Sequence, residues 1–85
     1  MSEAGVQTAL TDFIERDLLY ERGEPVAPDE PLVDGLLDSI DVLRVVVFVE
    51  KQFGIRIEDD ELVPENFATI ESLTRFVEAK QTELA

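Results

Sequence analysis

The 85-residue chain sets 20 acidic residues against 7 basic ones, a formal net charge of −13, and contains neither cysteine nor histidine. Small domains bury only about 60% of the surface their unfolded chains expose, so this length allows one modest core and disfavours a self-contained enzyme with a deep cavity. The missing residue types exclude a disulfide framework, a thiolate nucleophile and imidazole chemistry, and the charge argues against nucleic acid and anionic membrane as partners.

At the N-terminus, Met1-Ser2-Glu3-Ala4 lacks the basic start and apolar stretch of a secretory signal, and no apolar run approaches the roughly 18 residues of a membrane span. A cytoplasmic, monomeric domain spanning residues 1–85 is the expectation. From Val6 to Leu19 the apolar residues Val6, Leu10, Phe13, Ile14 and Leu18 recur at spacings of three and four, which predicts an amphipathic helix ending near Tyr20. Gly23, Pro25, Pro28 and Pro31 then interrupt helical pairing, so residues 21–38 read as a long loop. Loops of that length need anchors, and Leu32, Val33, Leu36 and Leu37 are the candidates.

A second helix should begin at Asp38, whose carboxylate suits the N-cap, with Asp41 placed favourably for the helix dipole. It should run to about Phe53 and stop at Gly54. The run Val45-Val46-Val47-Phe48-Val49 would also fit a buried strand, but the bracketing caps and the absence of a comparable second strand favour helix. A helix apolar on most faces is either central or offers one side to a partner. After Ile55-Arg56-Ile57 and the acidic run Glu58-Asp59-Asp60-Glu61, a loop and one short helical turn are expected through Phe67. The acidic run lacks the alternating ligands and central glycine of an EF-hand, so it reads as a solvated turn and not as a metal site.

The last helix starts after Thr69 as N-cap, with Ile70, Leu73, Phe76 and Val77 on one face, and residues 82–85 are expected to fray. Phe13, Phe48, Phe53, Phe67 and Phe76 read as core. Hydrophobic residues make up 45% of the chain, enough for a folded domain. The elements sum to an all-α bundle of three main helices and one minor one.

Only Gly35-Leu36-Leu37-Asp38-Ser39-Ile40-Asp41 joins a potential nucleophile to an unusual setting, because Ser39 lies where the long loop meets the second helix. A phosphate attached there would sit against the free amides of a helix N-terminus. Spacing alone favours the plainer role in which Ser39 helps Asp38 cap the helix.

Gly35-Leu36-Leu37-Asp38-Ser39-Ile40, the valine-rich helix after it, Phe53-Gly54-Ile55-Arg56-Ile57 and Pro64-Glu65-Asn66-Phe67-Ala68-Thr69-Ile70 resemble the acyl and peptidyl carrier protein family. The resemblance covers essentially the whole chain. It implies a four-helix bundle of acyl-carrier type with a short third helix and a long loop between helices one and two. It further implies that Ser39 carries 4'-phosphopantetheine, transferred from coenzyme A by a phosphopantetheinyl transferase, and that cargo is held as a thioester on this arm. The thiol absent from the encoded chain would then arrive on a prosthetic group.

By the same resemblance, Asp38 also serves the transferase complex by helping to position metal and coenzyme A, and helix two is the recognition helix. Asp41, Glu50 and Asp59 fit the acidic pattern that meets basic partner surfaces. Arg44 departs from it, either as a recognition residue or as a solvated charge paired with Asp41. Ile40 stands where leucine is usual, touching partners or packing on Leu36. The partners implied are the transferase, an acyl- or aminoacyl-loading ligase, and downstream synthases or transferases of a specialised lipid, polyketide or aminoacyl pathway. A reading of a different class is an unmodified acidic module that binds a basic protein through helix two.

Overall fold

A computed structural model describes residues 3–84, and side chains within 5–83, as four α-helices joined by irregular connections, with no strand among the described residues. Helix α1 spans Glu3–Phe13 and buries Val6 and Leu10 at the four-residue spacing of its apolar face. It then widens into a π-helical turn, Ile14–Leu18, closed by Leu19 N–H donating to the Ile14 carbonyl at 2.8 Å. The sequence periodicity predicts one uniform helix here; the wider turn is the difference. In a continuous α-helix Leu18 would share the buried face of Ile14, whereas here Ile14 stays in the core and Leu18 is only half-buried.

The connection to the second helix is an ordered strap. Val26, Leu32 and Leu37 are buried, and Val26 N–H donates to a Glu15 carboxylate oxygen at 2.7 Å. Leu32 N–H donates to the Ala68 carbonyl at 2.7 Å and Glu71 N–H to that of Pro28 at 3.0 Å, tying the strap to the opposite end of the chain. Arg22 pairs with Glu30 at 2.6 Å across one bend. These bonds give the loop's backbone polar groups partners that packing would otherwise deny them. Val33 does not serve as an anchor: it is exposed, because Leu32 and Leu37 already fill the adjoining core positions.

Helix α2, Ser39–Phe53, buries Val45 and Val49 completely and half-buries Val42, Val46, Phe48 and Phe53. Full burial of a valine contributes about 1.5–3 kcal/mol relative to exposure, so this pair fixes which side of α2 faces inward. The helix ends at Gly54, whose φ of 66° is the left-handed conformation that glycine adopts without strain.

Between Gly54 and the last helix lie two short elements, a 3-10 turn Asp59–Glu61 and helix α3, Pro64–Phe67, where one was expected. The acidic turn is pinned: Glu58 N–H and the Lys80 ammonium both bind the Glu61 carboxylate, and Asn66 donates to the Glu61 carbonyl. Helix α4, Ile70–Leu84, opens with Ser72 N–H donating to the Thr69 hydroxyl at 3.0 Å, the N-cap expected from sequence. It buries Ile70, Leu73 and Val77, and packs on α1, α2 and α3.

Two further expectations are corrected. Residues 82–84 remain helical, with the Thr82 hydroxyl bonded to the Glu78 carbonyl, while Ala85 lies outside the described residues. Of the five phenylalanines only Phe67 is buried; Phe13, Phe48, Phe53 and Phe76 are half-buried, because the small core is already filled by aliphatic side chains. Phe13 instead stacks on Phe48 at 4.2 Å, joining α1 to α2 at the surface.

Candidate functional site

The strap delivers the chain to α2 through a tight turn. Leu36 and Leu37 both donate their N–H groups to the Leu32 carbonyl, at 3.2 and 2.8 Å, and Gly35, just before them, has φ of 112°. Side-chain-bearing residues rarely adopt that backbone angle, so glycine is required at the turn preceding Asp38 and Ser39. Leu37 anchors in the core, the next residue caps the helix and Ser39 begins it.

Asp38 is the N-cap, with extended backbone, and its carboxylate accepts from Asp41 N–H at 2.8 Å. Asp41 returns a longer bond, accepting from Asp38 N–H at 3.4 Å, which completes a capping box. Ser39 therefore does not cap the helix; it is the first helical residue and is exposed. Asp41 N–H goes to the Asp38 carboxylate and Val42 N–H to the Asp38 carbonyl, leaving the amides of Ser39 and Ile40 without a partner among the described hydrogen bonds. A hydroxyl so placed suits a phosphodiester: it is accessible, and the first turn's amides favour the negative charge of an attached phosphate. The chain contains no imidazole that could deprotonate it.

The proposed recognition residues divide. Ile40 is 62% exposed and does not pack away against the strap. Arg44 is exposed and forms no ion pair among the described residues; the expected partner, Asp41, turns its carboxylate back to the Asp38 amide. Glu50 is half-buried, with its carboxylate accepting from Ile57 N–H at 2.9 Å, so it fastens the chain after Gly54. Asp59 opens the 3-10 turn beyond the far end of α2.

Beside Ser39 lies a feature that the sequence reading missed, an open groove of about 460 Å³ between the end of α1 and α2. Ile40, Leu43, Arg44, Val47 and Phe48 form one wall, and Phe13, Asp17 and Leu18 the other. The signal was present in the sequence: Ile40, Leu43 and Val47 repeat at helical spacing on a different face from buried Val45 and Val49.

Residues 5–77 match the protein family described as PP-binding, phosphopantetheine attachment site. An aminoacyl carrier protein 1 of Bradyrhizobium diazoefficiens is 40% identical over 52 residues, covering 61% of this chain and 58% of that relative's length. Acyl carrier proteins of Micrococcus luteus and Myxococcus xanthus are each 27% identical, over 81 and 77 residues. These matches cover 94% and 89% of this chain, and 96% and 94% of the relatives. The helical bundle, the exposed hydroxyl at a capped helix start and this match over most of the chain agree: the protein belongs to the acyl carrier protein family, whose members bear covalently attached 4'-phosphopantetheine.

Proposed function

We propose that this protein is a carrier that holds acyl or aminoacyl groups as thioesters on a phosphopantetheine arm attached to Ser39, and delivers them to partner enzymes in the cytoplasm. One observation carries the choice of residue: Ser39 is an exposed hydroxyl at the first position of a helix whose capping is already met by Asp38 and Asp41. Its oxygen forms the phosphodiester as the nucleotide portion of coenzyme A leaves within a transferase. The attached arm supplies the thiol; the chain supplies the address, the rigid helix start and the surface that partners read. Nothing in this role asks the chain itself for catalysis, and its composition offers no imidazole or thiolate for it.

A specialised aminoacyl or acyl cargo is the narrower reading. It is supported by the relative whose name marks it as an aminoacyl carrier, and by an α2 in which two bases balance two acids despite the strongly acidic chain. The deciding experiment incubates the protein with coenzyme A and a broad-range phosphopantetheinyl transferase and reads intact mass. One phosphopantetheinyl addition is expected on the wild type and none on Ser39→Ala. No addition to the wild type, or equal addition to both, overturns the assignment. Loading the modified protein with candidate acyl and aminoacyl donors then separates the two cargo classes.

A further inference from the structure

Asp34-Gly35 sits in the turn that leads into α2, and Asp34 is the one aspartate of the chain followed by glycine. Both residues are exposed, and the turn closes around them: Leu36 and Leu37 N–H bind the Leu32 carbonyl, and neither bond uses a group of the dipeptide. Among the described residues the Asp34 carboxylate accepts no hydrogen bond and joins no ion pair, and Gly35 N–H has no acceptor. No atom beyond its chain neighbours lies within 4 Å of the point from which a Gly35 side chain would start. A carboxyl group free to rotate and an unhindered amide nitrogen on the next residue are the two partners that cyclise to a succinimide. The other residues able to react in this way are held. Asp38 has its carboxylate bound by Asp41 N–H and is followed by the first residue of α2, and Asn66 donates to the Glu61 carbonyl and precedes buried Phe67.

We propose that Asp34 is a site of spontaneous backbone modification, converting to isoaspartate through a succinimide formed with Gly35. The Gly35 nitrogen attacks the carboxyl carbon of the Asp34 side chain. A C–N bond forms, a C–O bond breaks, and the amide proton leaves with the carboxyl hydroxyl as one water. Water then opens the ring. Attack at the side-chain carbonyl restores aspartate, whereas attack at the main-chain carbonyl of Asp34 leaves the chain running through the β-carbon with the α-carboxylate free. The overall composition is unchanged, and no oxidant, reductant or enzyme is required. Isoaspartate adds one main-chain atom between the buried anchors Leu32 and Leu37, which disrupts the bonds from Leu36 and Leu37 to the Leu32 carbonyl. Asp38 follows Leu37 directly, so the disturbance reaches the N-cap of α2 and Ser39. Its effect on loading Ser39 rests on the carrier reading; the modification itself does not.

The test holds the folded full chain at physiological temperature and pH for weeks, beside Asp34→Glu, whose longer side chain closes the ring far more slowly. Isoaspartyl carboxylates are then counted with an isoaspartyl methyltransferase and labelled S-adenosylmethionine, and peptide fragmentation locates the label. Label is expected at Asp34 in the wild type and its loss in Asp34→Glu. Label spread over the other aspartates, equal label in both proteins, or label only in chain held in urea overturns the proposal. Hydrogen exchange on the isomerised fraction reads the consequence: the Leu36 and Leu37 amides should lose protection while those of Val45 and Val49 keep theirs. Unchanged exchange at Leu36 and Leu37 would show that the turn absorbs the extra atom, and overturns the link to α2. Phosphopantetheine transfer completes the comparison. Aged wild type should load more slowly than fresh, and aged Asp34→Glu as fast as fresh. Equal loading of aged and fresh wild type removes the coupling to Ser39, whereas no loading of any sample overturns the carrier reading and leaves the label at Asp34 to decide the modification.

Discussion

Asp38 and Asp41 cap α2 reciprocally, each accepting the other's backbone N–H, at 2.8 Å into Asp38 and 3.4 Å into Asp41. Because the bond into Asp38 is the shorter, Asp38 carries most of the capping, and Ser39 is left free to serve another purpose. Loss of an N-cap carboxylate costs about 1 kcal/mol, and in a domain of this size that lowers the melting temperature by roughly 4–8 °C. Asp38→Ala should show this drop by circular dichroism, and Asp38→Asn, which keeps an accepting oxygen, should recover most of it. Ser39→Ala should leave the melting temperature unchanged. A drop with Ser39→Ala equal to that with Asp38→Ala would return Ser39 to a capping role.

The stack of Phe13 on Phe48, at 4.2 Å with an interplanar angle of 9°, joins the end of α1 to α2 beside the groove. Phe48 also meets Phe53 edge-on at 6.2 Å. Aromatic pairs contribute about 0.5–1.5 kcal/mol beyond the area they bury. Phe48→Leu keeps much of the apolar contact and loses the ring pairing, so a double-mutant cycle with Phe13→Leu should return a coupling of about that size. Additive effects in urea unfolding would show that the rings touch without coupling.

The caps were legible in sequence because they depend on single residue types at fixed spacing: Asp38 before α2, Gly54 after it and Thr69 before α4 each stand where their chemistry placed them. Ser39 stood out only by its place at the junction of loop and helix and by the family resemblance, since spacing favoured a capping role for it. The π turn at Ile14–Leu18 was not legible, since its apolar residues satisfy ordinary helical spacing and only contact with the rest of the fold selects the wider turn. The strap's bonds escaped too, because Leu32 to Ala68 and Pro28 to Glu71 join backbone groups that carry no residue signature. Charge alone could not show that Asp41 and Glu50, counted as recognition acids, also accept backbone amides of their own chain.

Two carboxylates should set the acid sensitivity of the fold. Glu30 lies below its ordinary value of 4.5 because Arg22 donates to it, with Ala27 N–H adding to the effect. Glu61 is lowered by the Glu58 amide and then by the Lys80 ammonium. A carboxylate depressed in the folded state contributes stability that is fully present above its unfolded value and is lost as pH falls from 4.5 through the folded value. Urea unfolding of wild type and Glu61→Gln should therefore differ most near neutral pH and converge in strong acid. A difference that persists undiminished below that window would mean that Glu61 acts through packing and not through its charge. Both groups are solvent-accessible, so added salt should narrow the gap at neutral pH.

Glu50 separates a structural role from a docking role. Its carboxylate accepts from Ile57 N–H across seven residues, holding the segment after Gly54 against the end of α2, where Ile55 is buried. Hydrogen bonds to charged acceptors contribute about 1.5–3 kcal/mol, and partial exposure places this one toward or below the lower end. Removing it in Glu50→Ala should speed exchange of the Ile57 amide by about ten-fold, with little change at Val45 or Val49, whose amides open only with the helix. Glu50→Gln, which retains an accepting oxygen, should restore most of the protection. If Glu50 is instead a charge read by partners, neither variant changes exchange at Ile57, and both weaken docking alike. The geometry supports the first outcome directly, through the bond from Ile57 N–H to Glu50 Oε2, whereas a docking role would use the carboxylate's remaining acceptor positions.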